Sequence, residues 1–142
     1  MFKAVLESLP ADVAIFSAAV SDFKIKNKKN YKIKKNEMLD LNLEKNIDIL
    51  NHISKHNSLR PKIVIGFAAE TNNLTEYAKK KLSEKNCDWI IANDVSDPTI
   101  GFGSDFNEVS IFYKNMKYEK LPKMKKSLLA DNIVKKVISH LN

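Results

Sequence analysis

Lys81 and Lys85 stand one helical turn apart in the stretch 74–86. Its apolar members Leu74, Tyr77, Ala78 and Leu82 form one stripe at the ~100° step of an α-helix. Both lysines fall near the centre of that stripe, while Lys79 and Lys80 point outward with Glu76 and Ser83. A lysine is rarely buried without a partner. Two of them facing inward can grip phosphate oxygens as point charges. The plain alternative is that both reach past the sheet edge and complement the negative end of the helix.

Other residues extend this reading. Residues 24–35, KIKNKKNYKIKK, hold seven lysines and no acid. They read either as a solvated basic loop or as a flap over a phosphorylated substrate, with a lysine such as Lys32 neutralising charge that develops during transfer. In AAVSDF (18–23), the small Ala18 and Ala19 allow a ligand close to the backbone. Asp22 could then contact a base or ribose, or hold Mg²⁺ through one carboxylate; the alternative is a turn aspartate bonding its own backbone. Phe67, after Gly66, is either a base-stacking ring or a core side chain. Asn93, Asp94 and Glu70 read as partly structural, Cys87 as a small core residue, and His52, His56 and His140 as surface residues without metal-ligand spacing. With only Gly66, Gly101 and Gly103, the chain has no glycine-rich phosphate cradle.

These residues need elements to hold them. Residues 2–9 read as a short helix ended by Pro10, and VAIFSA (13–18) as a buried strand. A mobile basic loop is expected over 20–36, followed by a half-buried strand in MLDLNLE (38–44). Asn46 is expected to cap a helix through Ile49, Leu50 and Ile53. KIVIGFAA (62–69) and DWIIAND (88–94) read as buried strands around the helix 74–86, with a loop at 95–105. NEVSIFYK and MKYEKLP form a hairpin around Lys114-Asn115, and 125–141 a helix with Leu129, Ile133, Val137 and Leu141 on one face. Alternation of buried strands and helices predicts an α/β class with a mainly parallel sheet. Ligands of such sheets gather at the carboxyl ends of the strands, here AAVSDF, GFAAET and ANDVS.

The 142 residues suffice for one domain, and the net charge of +7 suits a polyanionic ligand: nucleotide, nucleic acid or membrane surface. No apolar run reaches the ~18 residues of a membrane span. The opening residues lack the pattern of a signal peptide, and the single Cys87 cannot form an internal disulfide, so a reduced cytoplasmic setting is expected.

AAVSDF, KIKK, LEKNIDIL, IGFAAETNNL, IIANDVS and GFGSDFNEV together resemble, in order and spacing, the phosphopantothenoylcysteine synthetase (phosphopantothenate–cysteine ligase) domain of the bacterial Dfp/CoaBC flavoprotein. The likeness runs from about residue 2 to 140. It implies a Rossmann-like three-layer α/β fold and CTP-dependent joining of 4′-phosphopantothenate to L-cysteine through an acyl-cytidylate, with Mg²⁺. It also implies roles for residues. Lys32 corresponds to the flap lysine within a mobile segment 24–36, and Ala18 and Ala19 to the pair beside the reacting centre. Asp22, Ile47, Asp48, Ile49, Leu50, Phe67, Lys81 and Lys85 correspond to nucleotide contacts. Ile47 stands where the family usually has proline. The family domain opens with a strand and a glycine-rich loop that this sequence does not contain, so residues 1–142 are expected to form a single N-terminally truncated domain with an uncovered sheet edge. The decarboxylase half is likewise outside it, so no FMN is expected. A homodimer is implied, with a decarboxylase domain or separate N-terminal half as possible further partner. Two alternatives stay open: a non-catalytic fragment or split subunit that binds CTP beside such a partner, and a basic nucleic-acid-binding module.

Overall fold

The computed structural model describes residues 1–32, 34, 41–96, 99–100 and 103–142. In chain order the elements are α1 (Phe2–Glu7), β1 (Val13–Phe16), β2 (Phe23–Ile25), β3 (Leu43–Lys45), α2 (Ile49–Ser54), β4 (Ile63–Glu70), α3 (Leu74–Lys85), β5 (Trp89–Asp94), β6 (Phe106–Tyr113), β7 (Tyr118–Lys125) and α4 (Lys126–Leu141). Five strands form one sheet in the order β1-β4-β5-β6-β7. β1, β4 and β5 run parallel, and β6 and β7 extend them as an antiparallel hairpin.

The alternation of side chains along the strands divides the core in two. Ile63, Ile65, Trp89, Ile91, Val109 and Ile111 face α4, which supplies Leu129, Ile133 and Val137. Val64, Ala68, Ile90, Ala92 and Phe112 face the other way, against Ala78 and Leu82 of α3, with Leu50 of α2 packed alongside. Helices therefore cover both faces, and the layering is helix–sheet–helix, as a parallel sheet buried on both sides requires. Burying each of these aliphatic side chains contributes on the order of 1.5–3 kcal/mol. At one edge, β7 carries Lys120, Lys123, Lys125 and Pro122, residues that oppose further strand pairing.

Several expectations are corrected. The segment 20–36 is not loop throughout: β2 occupies its start and pairs antiparallel with β3. β3 begins only at Leu43; Leu43 is 58% exposed and Leu41 56% exposed, as the two-stranded unit stands apart from the five-stranded sheet. Met38, Leu39 and Asp40 of the predicted strand lie outside the described residues. The cap of α2 is Asp48, not Asn46: Asp48 Oδ1 accepts the Asn51 N–H at 2.9 Å. In α3, Tyr77 is exposed and Lys79 half-buried, the reverse of the predicted stripe, since Ala78 and Leu82 alone carry the deeply buried face. Leu141 is exposed at the end of α4.

Candidate nucleotide site at the strand exits

β1 ends at Phe16, opposite Gly66, while β4 runs on to Glu70, so the segment leaving β1 comes out beside Phe67 of β4. After β1 the chain passes through Ala18, Ala19 and Asp22. The Asn46 N–H donates to the Asp22 carbonyl at 2.7 Å, and Asn46 Nδ2 donates to the Ser21 carbonyl at 3.0 Å. These bonds staple the approach to α2 against the exit of β1. Gly66 then lets α2 come close: a Cβ there would sit 2.5 Å from Leu50 Cδ2 and 3.0 Å from Ile90 Cδ1. Asn46 was expected to cap a helix; it builds this wall instead.

The result is a cavity of about 450 Å³. Its lining includes Ala18, Ala19, Asp22, Ile47, Asp48, Ile49, Leu50, Phe67, Lys81 and Lys85, with Phe16, Val20, Ser21, Asn46 and Ile90 completing it. Ten of the eleven residues singled out in the sequence thus converge. The eleventh, Lys32, is exposed and does not line the cavity. Ile33 and Lys35 of the flap motif lie outside the described residues.

Both inward lysines are half-buried and held by carboxylates. Lys81 Nζ lies 2.7 Å from Glu70 Oε1, and Lys85 Nζ bonds Asp48 Oδ2. Asp48 therefore does two jobs, capping α2 with one oxygen and holding Lys85 with the other. Burial alone would raise the Asp48 pKa. The hydrogen bonds from Lys85 and the Asn51 N–H, with the charges of Lys85 and Lys55, outweigh it and hold the carboxyl below the ordinary aspartate value. Asp22 does not make the turn bond that was its alternative role. Ser21 Oγ donates to the Phe23 carbonyl at 2.8 Å in its place, and among the described residues the Asp22 carboxylate meets no side-chain partner. Phe67 is half-buried, packing against the α4-side core while also forming part of the cavity wall.

A second, smaller cavity of about 240 Å³ shares Phe16, Ala18, Ala19 and Phe67 with the first and adds Asn93, Asn107 and Lys126. Asn107 and Lys126 carried no signal in the sequence, since only the β6–β7 hairpin and the start of α4 bring them here. Another cleft, about 930 Å³, opens at the opposite end of β5. Its acids are already engaged: Glu119 bonds Lys136 at 2.8 Å and the Tyr113 hydroxyl, and Asp88 accepts from Arg60 at 2.9 Å and from the Val64 N–H at 2.8 Å.

Among the described residues no three His, Cys, Asp or Glu side chains gather around a metal position. His52 and His140 are exposed and His56 is half-buried, its Nδ1 accepting the Leu59 N–H at 3.1 Å. Cys87 is fully buried, and burial pushes its thiol up to about 11. No described helix is long and apolar enough to cross a membrane.

Comparison with known proteins bears on the family and the fold. The DNA/pantothenate metabolism flavoprotein C-terminal domain matches residues 1–141. The chain belongs to that family. It is 40% identical over 139 residues to the coenzyme A biosynthesis bifunctional protein CoaBC of Bacillus subtilis, covering 96% of this chain and 34% of that protein. Identity to the CoaBC of Borreliella burgdorferi is 47% over 127 residues, covering 87% of this chain and 31% of that one. The chain thus spans about a third of the length of these relatives. Among solved structures, the C-terminal domain of a CoaBC superposes with a TM-score of 0.75 at 33% identity over 99% of this chain and 60% of that one. A Cab2 mutant solved in complex with phosphopantothenate-cysteine shares the fold, with a TM-score of 0.59 at 17% identity over 89% of this chain and 46% of that chain. The Rossmann-like α/β fold is that of the family.

Proposed function

We propose that this chain forms the CTP-binding part of a phosphopantothenate–cysteine ligase acting in coenzyme A biosynthesis. The observation that carries the reading is the convergence of Ala18, Ala19, Asp22, residues 47–50, Phe67, Lys81 and Lys85 on one cavity at the strand exits. In the reaction, the carboxylate of 4′-phosphopantothenate attacks the α-phosphate of CTP, and pyrophosphate leaves. The amine of cysteine then attacks the acyl carbon, and CMP leaves.

Lys81 meets the triphosphate while still held by Glu70, and Lys85 exchanges part of its bonding to Asp48 for phosphate oxygens. Residues 47–50 and Phe67 pack against the nucleoside, and the small side chains of Ala18 and Ala19 leave room for the two reactants to meet. Lys32, exposed outside the cavity, is the flap lysine that would reach the reacting phosphate on closure. A magnesium ion held mainly by substrate phosphates needs only one or two protein carboxylates. The donor chemistry of the Asp22 carboxylate fits that need, and the ion would shield the triphosphate charge.

Partners follow from the exposed surface. Phe23 is 53% exposed, Ile25 43% and Leu43 58%, all on the two-stranded β2–β3 unit. A second copy of the chain would cover this apolar surface, giving a homodimer. Sedimentation of a Phe23→Ser/Leu43→Ser variant should then show monomer where the unsubstituted chain shows dimer; a monomer in both rules that interface out.

The ligase reading is tested by following pyrophosphate release from CTP in the presence of phosphopantothenate and cysteine, with the full-length protein that carries these residues. Release should fall roughly 10²-fold or more in Lys32→Ala, on the scale of losing one electrostatic transition-state contact. Unchanged release in that variant would remove Lys32 from the mechanism. Release that does not depend on phosphopantothenate would remove the ligase assignment.

A further inference from the structure

Glu70 is the last residue of β4. It pairs with Asp94 of β5, and its carbonyl accepts the Val95 N–H at 2.9 Å, so its backbone is fixed in the sheet. Its side chain is only 16% exposed, with Oε1 at 2.7 Å from Lys81 Nζ. Lys81 lines the 450 Å³ cavity, and Glu70 does not. Glu70 therefore grips the ammonium from outside the cavity wall, leaving the other N–H bonds of Lys81 for a ligand. The second pair is built differently. Asp48, which holds Lys85, is itself part of the cavity lining, so its carboxylate competes with an incoming phosphate.

We propose that Glu70 is a positioning residue for nucleotide binding, which fixes the rotamer of Lys81 and aims its ammonium at the triphosphate. The proposal rests on the assignment of Lys81 to the nucleotide made above. The physical reason is entropy: a free lysine side chain loses much of its rotamer freedom on meeting a ligand, and one already held loses less. A carboxylate near an anion site with no positioning role would only repel the ligand, so its removal would tighten binding. Positioning gives the opposite sign.

The test is a double-mutant cycle of calorimetric titrations with Mg·CTP: the unsubstituted chain, Glu70→Gln, Glu70→Ala, Lys81→Met and the two double variants, with melting curves confirming that each is folded. The expected result is a rise in Kd of about three- to tenfold for Glu70→Gln and Glu70→Ala, and no further rise when either is added to Lys81→Met. Unchanged or tighter binding in both Glu70 variants, beside a clear loss in Lys81→Met, overturns the proposal and leaves the site assignment standing. An equal loss from Glu70→Gln with Lys81 present or absent also overturns it, since Glu70 would then act by another route. Unaltered affinity in Lys81→Met, or no CTP binding by the unsubstituted chain, overturns the site assignment and the proposal together.

Discussion

Asp48 shows how much chemistry a single carboxylate can join. One oxygen caps α2 and the other holds Lys85, and both bonds favour the ionised form. Because the folded pKa is depressed, this contribution to stability is fully present above the ordinary aspartate range and is lost as pH falls through the folded value. Asp48→Asn keeps a helix cap but loses the charge. The melting temperature of the unsubstituted chain should therefore exceed that of Asp48→Asn by a margin that narrows as pH drops from about 5 to about 3. A margin that stays constant over that range would mean the Lys85 contact adds nothing. At this scale much of the candidate cavity's lining was legible. The inward lysine pair could be read from helix spacing alone, and both lysines do line the cavity. Their carboxylate partners could not, because Glu70 lies on a different element, β4, and Asp48 is 37 residues from Lys85. Asn107 and Lys126 gave no local signal for the same reason: their place is set by long-range pairing.

At the scale of elements, the buried strands β4 and β5 and helix α3 declare themselves through continuous apolar runs and helical periodicity, and they stand within a residue or two of where the sequence put them; β1, also expected to be buried, is instead an edge strand with Ile15 44% exposed. The weaker readings fall where tertiary context overrides pattern. The alternation in MLDLNLE suggested a strand with one face in the core; among the described residues β3 instead pairs with β2, and its Leu43 stays exposed. The helical stripe through Tyr77 misjudged the buried face because two small contacts, Ala78 and Leu82, suffice to seat α3 on the sheet. Gly66 is the element-scale device that matters most for the site. It clears the space in which Leu50 of α2 crosses β4. Gly66→Ala should displace Leu50, lower stability by roughly 1–3 kcal/mol as overpacking does, and weaken nucleotide binding by moving residues 47–50. Denaturant unfolding measures the first effect and CTP titration the second. An alanine variant that is neutral in both would show that Leu50 repacks without moving α2.

Across the whole molecule, one arrangement explains both fold and site. A parallel β1–β4–β5 core places three chain exits at one end of the sheet, and the β6–β7 hairpin with α4 closes the other side. Family membership was legible because six short segments recur in order along the chain. The convergence of four of them on one cavity could be seen only in three dimensions. The central claim is that these residues themselves form a CTP site. Calorimetric titration of the 142-residue chain with Mg·CTP, against Mg·ATP and against a Lys81→Ala/Lys85→Ala variant, tests it most directly. The account predicts saturable binding that prefers CTP and is lost in the double variant. CTP binding that survives removal of both lysines would contradict it.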